Sequence, residues 1–286
     1  MNTEKNEEKN NRPLPGLADM HCHTLHSHDS CADLDELCKH AVSKGLSAIA
    51  ITDHCDIWLS GDSAAMAEID ASFMEACRCA ETYAGKLEVL RGIEIGEALW
   101  NADEAQKIIF SHEYDVVLCS VHSVRFRRLD LPYSGIDFSR MPPDELKAYL
   151  TKYFEELLQS AKELDYDVLT HLTCPLRYIR GKYGIHIDLS DYRELIDEIL
   201  KTVIERKKAL EINTSCIGTP YDSTLPDFDT IKRYLDFGGT MITLASDAHV
   251  VQNVGKDFDA VRRRLKLLGV NQAYLYRRRR PFAYLL

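Results

Sequence analysis

The chain has 286 residues, of which 45% are hydrophobic and 28% are charged. This length and composition are typical of a globular protein with a full apolar core, built as one large α/β domain or as two smaller domains. The formal net charge of −10 offers no electrostatic attraction for nucleic-acid phosphates, so we expect no nucleic-acid partner.

The first residues and the cysteines indicate the cellular compartment of the protein. Residues 1–14 are mostly charged or polar and lack the apolar run of a signal peptide, so we expect a disordered leader there. No apolar stretch approaches the roughly 20 residues of a membrane span. The nine cysteines are scattered and form no C-x-x-C pair, which disfavours a zinc-thiolate site. We therefore expect a reduced, cytoplasmic setting without a membrane partner.

Strands and helices alternate along the chain. Buried-type apolar runs predict strands near 17–23, 47–51, 87–90, 114–119, 167–171, 209–213 and 240–244, with a terminal strand at 274–276. Apolar residues at helical spacing predict helices at about 34–45, 63–84, 102–110, 143–164, 190–208 and 256–268. Ser190 is the predicted N-cap of the fifth helix. The loop 124–142 is long enough to be functional.

Polar side chains follow every one of the seven main strands. His21 and His23 are two residues apart, which places both rings on one face of a strand. The complete set is His21, His23, His54, Glu94, His122, His171, Glu211, Asn213, Asp247 and His249. The carboxyl ends of strands converge on one face of a (β/α) barrel, whereas the edges of an open sheet stay apart. We therefore predict an α/β fold, a distorted (β/α)7 TIM-like barrel, as a single domain over residues 15–286.

A histidine after a buried strand is most often an ordinary hydrogen-bonded loop residue. His40 and His112 lie on predicted helices, and His26 and His186 lie in loops, so we interpret these four as structural or surface residues. Six of the eleven histidines nevertheless fall at strand ends: His21, His23, His54, His122, His171 and His249. This recurrence favours a metal site over a set of unrelated loop residues.

The motifs resemble those of the polymerase-and-histidinol-phosphatase (PHP) superfamily. They are H-x-H at 21–23, T-D-H ending at 54, G-x-E ending at 94, S-V-H ending at 122, D-V-L-T-H ending at 171 and S-D-A-H at 246–249. The segments H-S-H-D-S (26–30), G-I-E-I-G-E (92–97), E-I-N-T-S (211–215) and the basic stretch before the apolar tail (277–286) resemble the histidinol-phosphatase branch. The resemblance runs from about residue 17 to the end of the chain.

The resemblance implies a seven-stranded barrel with a site for two to three divalent metal ions. It places His21, His23, Glu94 and Asp247 at the first ion, and Glu94 with His122 and His171 at the second. The third would be held by Asp29, His54 and His249, although some branches carry histidine at the position of Asp29. The implied catalytic residues are Glu94, Asp247 and His249.

Imidazole and carboxylate ligands suit zinc, manganese or iron, and the sequence does not choose among these metals. Ions about 3.5–4 Å apart can share a hydroxide that attacks phosphorus in line, without a phospho-enzyme. Cys22 lies between two ligands on the strand, so its side chain points to the opposite face and is a poor nucleophile candidate.

Residues that bind the substrate are predicted from the loops after the strands. Arginine can bind phosphate through two parallel hydrogen bonds, which makes Arg177 and Arg125 candidates for the phosphate contact. His28 is the third candidate for binding the substrate. Carboxylates in or near the same loops, which would accept from a substrate amine, are Asp130, Asp137 and Glu211. The basic runs at 127–128 and 277–280 are interpreted as solvated faces.

Three functions are compatible with the motifs. The resemblance favours hydrolysis of L-histidinol phosphate, a late step of histidine biosynthesis. The alternatives are hydrolysis of another small phosphate ester or nucleotide, and a non-catalytic metal-binding regulatory domain. The complete ligand set argues against the regulatory domain. A homo-oligomeric state is left open by the sequence.

Overall fold

A computed structural model describes residues 16–57, 63–127 and 131–286. The leader predicted at 1–14 lies outside these residues, as do Arg128 and Asp130. The strands are β1 (Ala18–Cys22), β2 (Ala48–Ile51), β3 (His54–Asp56), β4 (Glu88–Gly96), β5 (Val116–Ser120), β6 (Val168–Leu169), β7 (Ala209–Asn213), β8 (Ile242–Ala245), β9 (Gln272–Arg277) and β10 (Arg280–Leu285). The helices are α1 (Leu34–Lys44), α2 (Ser63–Thr82), α3 (Ala102–Ile109), α4 (Pro143–Glu163), α5 (Pro175–Ile179), α6 (Arg193–Glu205), α7 (Phe228–Asp236) and α8 (Phe258–Leu267).

The main sheet is a nearly closed barrel of seven parallel strands, as predicted. Its order is β1-β2-β4-β5-β6-β7-β8, and the short β3 continues the line of β2 along β4. The ring closes where the chain after β8 meets β1: the Asp247 N–H donates to the His21 carbonyl at 2.9 Å, and the His23 N–H donates to the Ala248 carbonyl at 2.9 Å. All the carboxyl ends of the strands therefore lie at one mouth.

An irregularity in β1 turns the H-x-H pair toward this mouth. The pairing register between β1 and β2 shifts between Asp19 and Cys22. Met20 packs inside the barrel, whereas Cys22 is fully buried in the layer between the barrel and its helices. Burial, followed by the charge of Asp19, raises the pKa of the Cys22 thiol well above its ordinary value. Cys22 thus faces away from the histidines and is a poor nucleophile.

The opposite end of the barrel is closed by the β9–β10 hairpin. Small and medium side chains fill the interior, among them Ala18, Ala48 and Ala209, and Leu275 and Tyr276 of β9 pack against them. The prediction at 274–276 identified β9, but β10 was missed. The arginines at 277–280 include the turn of this hairpin: Arg277 pairs with Glu88, and Arg279 pairs with Asp167. The basic run is therefore partly an anchor of the hairpin and not only a solvated face.

Capping residues mark both ends of α1, but the capping residue predicted for α6 is not the one that the structure shows. The Asp33 side chain accepts from the Glu36 N–H, and Gly45 ends α1 in the left-handed region at φ 76°. For the helix predicted from 190, the N-cap assignment was wrong. Ser190 donates its N–H to the Asp188 carboxylate within a 3-10 turn, and α6 begins only at Arg193.

Two helices were not predicted from the sequence, α5 in the polar segment 173–188 and α7 near residue 230. Two 3-10 turns, Tyr133–Gly135 and Phe138–Arg140, order the part of the long loop that the structure describes. Within the described ranges, no helix is both long and apolar enough to cross a membrane.

Candidate metal centre

The H-x-H pair lies at the centre of the barrel mouth. His21 and His23 are fully buried, and their Nε2 atoms are 2.9 Å apart. Both nitrogens also approach Glu94 Oε2, at 3.4 Å from His21 and 3.7 Å from His23. Three ligand atoms that face a common point in this way could hold one ion.

Glu94 connects this group to a second group of imidazoles. Its Oε1 lies 2.8 Å from His171 Nε2 and 3.3 Å from His122 Nε2, while Oε2 lies 2.8 Å from His54 Nδ1. Burial opposes ionisation of Glu94, but the nearby His21, His122 and His54 outweigh it and hold the pKa of Glu94 well below its ordinary value. Glu94 is thus a buried carboxylate whose two oxygens face different imidazoles, as required of a ligand that bridges two cations.

The third group lies nearer the solvent. His249 Nε2 is 3.3 Å from Asp29 Oδ1, and His54 Nε2 is 3.5 Å from the same oxygen. His249 Nδ1 is 3.4 Å from Asp247 Oδ1. The structure therefore brings Asp29, His54 and His249 together, with His54 shared between Asp29 and Glu94.

Two buried atoms in this centre lack a hydrogen-bond partner. They are His54 Nδ1 and Glu94 Oε2, which are 2.8 Å apart but do not meet at hydrogen-bonding angles. Buried polar atoms are normally paired, so an unpaired nitrogen and oxygen that face each other fit a site completed by a cation. The imidazole and carboxylate donors suit a divalent metal such as zinc, manganese or iron.

Outer residues orient three of the histidine rings. His21 Nδ1 is 2.8 Å from Glu211 Oε2, and His122 Nδ1 is 2.9 Å from Asp56 Oδ1. His23 Nδ1 is 3.0 Å from the Ser27 hydroxyl. In each ring the partner at Nδ1 leaves Nε2 directed at the centre, the arrangement that metal-binding histidines commonly show.

The two histidines of the H-x-H pair differ in their electrostatic surroundings. Burial opposes protonation of His21, but Glu211 and Glu94 raise its pKa well above the ordinary value. Burial, His54 and His249 lower the pKa of His23 well below the ordinary value. Carboxylates thus dominate around His21 and imidazoles around His23; a divalent cation would neutralise the carboxylates and accept a lone pair from a neutral imidazole.

Sequence reasoning missed Asp56 and Glu97 beside His122. Asp56 is two residues after His54 on β3, so the period of two that identified His21 and His23 could have identified it. Glu97 accepts from the backbone N–H groups of His122 and Ser123. Burial and then Asp56 raise the pKa of Glu97 to about 8.

A cleft at the barrel mouth is lined by several candidate ligands and by Arg177. Of the predicted substrate residues, Arg177 is the most buried in this cleft. It is on α5, and its Nη2 donates to Asp247 Oδ2 at 2.6 Å and to the Ser215 hydroxyl. Its Nε–H donates to the Cys216 sulfur at 3.4 Å. Tyr133 and Tyr178 line the same cleft. The guanidinium is therefore held at the edge of the candidate metal centre.

The other predicted substrate residues are distributed differently. His28 is exposed at the rim, with its ring 5.5 Å from that of His54. Arg125 is exposed, does not line the cleft and stacks 4.3 Å above the Trp100 ring, so the structure does not bring it into the site. The favourable contact with this aromatic face holds the guanidinium elsewhere.

The two acidic candidates that the structure describes, Asp137 and Glu211, also lie outside this cleft. Asp137 is exposed and bonded to Ser139 and Arg140. Both oxygens of Glu211 are engaged behind the centre, by His21 Nδ1 and by the His171 N–H. Neither carboxylate lines the cleft that holds Arg177.

Comparisons with known proteins agree with this geometry. The family model of the PHP domain matches residues 19–215. A protein of Thermotoga maritima named probable histidinol-phosphatase is 29% identical, covering 87% of this chain and 91% of its own. A protein of the same name from Clostridium acetobutylicum is 30% identical, and the match covers 84% of this chain and 89% of that protein.

A solved structure also resembles most of the chain. It is the histidinol phosphate phosphatase of Lactococcus lactis in complex with zinc, L-histidinol and phosphate, with a TM-score of 0.77 and 25% sequence identity. The match covers 94% of this chain and all of the other. The chain belongs to the PHP family, in the branch of its histidinol-phosphatases.

Proposed function

We propose that this protein is a metal-dependent phosphomonoesterase that hydrolyses L-histidinol phosphate to L-histidinol and phosphate. The observation that carries the proposal is Glu94, a fully buried carboxylate whose two oxygens face the imidazoles of separate strand ends. The related Lactococcus lactis enzyme holds zinc, L-histidinol and phosphate on the same fold. The reaction is a late step of histidine biosynthesis.

We assign the nine candidate ligands to three groups, two of which share Glu94. His21, His23, Glu94 and Asp247 would hold one ion, and Glu94, His122 and His171 a second. Asp29, His54 and His249 would hold a third, so we propose two to three ions per chain. Divalent ions at these positions supply positive charge to the phosphoryl oxygens and lower the pKa of water.

Arg177 binds the substrate phosphate in this proposal. Its guanidinium is fixed by Asp247 and Ser215, so little freedom is lost when it meets the ligand. Because Nε already donates to Cys216 and Nη2 to Asp247 and Ser215, Nη1 is the group that can donate to a phosphate oxygen and thereby orient the ester.

Asp247 and His249 complete the catalytic set. Arg177 engages Asp247 Oδ2, which leaves Oδ1 facing His23 Nε2 and His249 Nδ1 at 3.4 Å each. We assign to Oδ1 the proton of the attacking water. Oδ1 can return this proton to the leaving alcohol oxygen, and His249, whose side chain is 23% exposed toward the mouth, orients Oδ1 through Nδ1.

A panel of phosphate esters tests the substrate. Protein reconstituted with zinc or manganese is assayed for phosphate release from L-histidinol phosphate, a nucleotide, a sugar phosphate and an aryl phosphate. The highest kcat/KM is expected for L-histidinol phosphate. A higher value for another ester would assign the chain to that substrate, and no turnover of any ester would support the regulatory alternative.

A further inference from the structure

Two buried carboxyl groups flank His122, and neither belongs to the nine assigned ligands. Asp56 Oδ1 is 2.9 Å from His122 Nδ1. Glu97 Oε1 accepts from the His122 N–H, and from the Ser123 N–H at 2.7 Å. The two residues are 8% and 2% exposed, so water does not replace these contacts. Asp56 thus contacts the ring of His122, and Glu97 contacts its backbone.

The backbone around Glu97 is arranged for this contact. Glu97 follows β4 in the left-handed region, at φ 49°, which is unfavourable for a residue with a side chain. Gly96 pairs in parallel register with Asp56 of β3. A Cβ on Gly96 would lie 2.3 Å from Asp56 Oδ1 and 3.1 Å from His122 Nδ1. Glycine at this position therefore allows the carboxylate and the imidazole to meet.

We propose that Asp56 and Glu97 are positioning residues that orient His122 for metal binding. Asp56 accepts a hydrogen bond from Nδ1–H and so fixes the tautomer in which Nε2 is unprotonated, 3.3 Å from Glu94 Oε1. Glu97 fixes the backbone at the end of β5 from which the ring projects. The inference rests on the proposed role of His122 as a ligand and adds the residues that maintain it.

The experiment measures zinc affinity, which does not depend on the identity of the substrate. Apo protein is titrated with zinc in competition with a chromophoric chelator. Asp56→Ala and Glu97→Ala should each weaken the affinity of the weakest site that wild type fills by about 10–100-fold, the usual effect of removing an outer partner. kcat at limiting zinc should fall and recover when zinc is added, while KM stays unchanged.

Conservative variants separate the accepted hydrogen bonds from the negative charge. Asp56→Asn and Glu97→Gln retain an oxygen that can accept the same N–H groups, so their zinc affinity should stay within a few-fold of wild type. Glu97→Met fills the space without an acceptor and replaces Glu97→Ala if that variant does not fold. A glutamine variant as impaired as the alanine variant would overturn the role of Glu97.

Two controls identify which premise has failed. Asp115→Ala removes a buried carboxylate that accepts from the Arg91 and Arg278 N–H groups at the other end of the barrel. It should lower the Tm without changing zinc affinity. His122→Ala should abolish zinc binding at the site that His122 is proposed to complete. If zinc binding persists there, the ligand assignment is wrong. If His122→Ala abolishes this binding, but Asp56→Ala and Glu97→Ala bind zinc as wild type does, the positioning proposal is wrong.

Discussion

Glu94 approaches four of the candidate histidine ligands at once. Its oxygens approach His21, His54, His122 and His171 within 3.4 Å, and its side chain is fully buried. An isolated buried carboxylate would be costly, and here the surrounding imidazoles keep it ionised. This charge is therefore available to neutralise cations, and its loss should affect more than one of them.

Replacing Glu94 with glutamine tests the bridge. The change is nearly isosteric but removes the charge, so kcat should fall by more than a hundredfold while the fold persists. Phosphate release, zinc content and the circular dichroism spectrum are measured. Glu88→Gln is the control, because Glu88 lies on the same strand at the opposite end and pairs with Arg277. Retention of over about a tenth of the activity, a loss below ~1.4 kcal/mol, contradicts the bridging role.

Arg177→Ala tests the phosphate contact. Removing a charge-assisted contact from a partly buried site should cost about 1.5–3 kcal/mol, so KM for L-histidinol phosphate should rise about 10- to 100-fold. Zinc content should not change. The loss should be small for an aryl phosphate if that ester is held chiefly by the metals.

The matched control is Arg180→Ala. Arg180 is exposed and lies 5.7 Å above the Tyr221 ring, outside the cleft that holds Arg177. Its replacement should leave KM unchanged. An equal loss on both esters would make Arg177 a general phosphate clamp, and no loss on either would remove it from the substrate site.

The strands position these residues by their register. His54 of β3 pairs with Glu94 of β4, and Asp56 pairs with Gly96 two residues later. Side chains two residues apart on a strand share a face, so this pairing directs both His54, a candidate ligand, and Asp56, the partner of His122, to the same mouth. The interruption between β2 and β3 lets the Asp53 side chain accept from the Thr24 backbone N–H at 2.6 Å, which ties the histidine-rich loop to the barrel.

Gly96→Ala should disturb two strands at once. The added methyl group would lie 2.3 Å from Asp56 Oδ1, so the Asp56–His122 contact must open. We expect zinc affinity and kcat to fall at least tenfold. Gly135→Ala is the control, since the nearest atom to its added methyl group, Leu131 Cβ, is 3.9 Å away. If both variants are equally active, the contact between Asp56 and His122 is not needed for the metal centre, and the prediction is wrong.

The molecule as a whole separates chemistry from stability along the barrel axis. The candidate ligands meet at the carboxyl ends of the strands, while the β9–β10 hairpin covers the other end through Tyr276, whose hydroxyl donates to the Asp167 carbonyl. Asp167 is buried and is paired with Arg279 of the hairpin turn. Changes at this end should alter unfolding without altering turnover.

Arg279→Ala should lower the free energy of unfolding by about 1–3 kcal/mol, because it leaves a buried carboxylate without its cation. Burial raises the pKa of Asp167 and Arg279 counters this effect. Without Arg279 the folded-state pKa rises further, so the destabilisation should be larger at pH 7 than at pH 4, where Asp167 is more protonated. Urea unfolding at both pH values measures it, with the exposed Arg280→Ala as control. An equal loss at both values contradicts the electrostatic explanation.

Metal content is a property of the complete centre. Six imidazoles and three carboxylates exceed what one ion can bind, so gently purified protein should contain two to three divalent ions per chain. Elemental analysis gives the number. Removal with a chelator should abolish turnover, and zinc or manganese should restore it. One ion or fewer, without recovery on adding metal, would contradict a multinuclear site.

The amino-acid order was sufficient to predict the barrel and most of the polar side chains at its mouth, although Asp56 and Glu97 were missed. Alternation along a strand determines which face a residue occupies, and this local rule placed His21 and His23 together and Cys22 apart. The recurrence of histidine and carboxylate after buried runs required no knowledge of distances. These features depend on residues near one another in the chain.

Contacts between distant segments were decided only by the folded structure. Asp56 meets His122 across 66 positions because β3, β4 and β5 pair in one register, and no local pattern specifies that alignment. Arg125 stacks on Trp100 instead of entering the cleft, and Arg279 finds Asp167 across the base of the barrel. Periodicity encodes the direction of a side chain, whereas its partner is selected by packing and strand register over the whole chain.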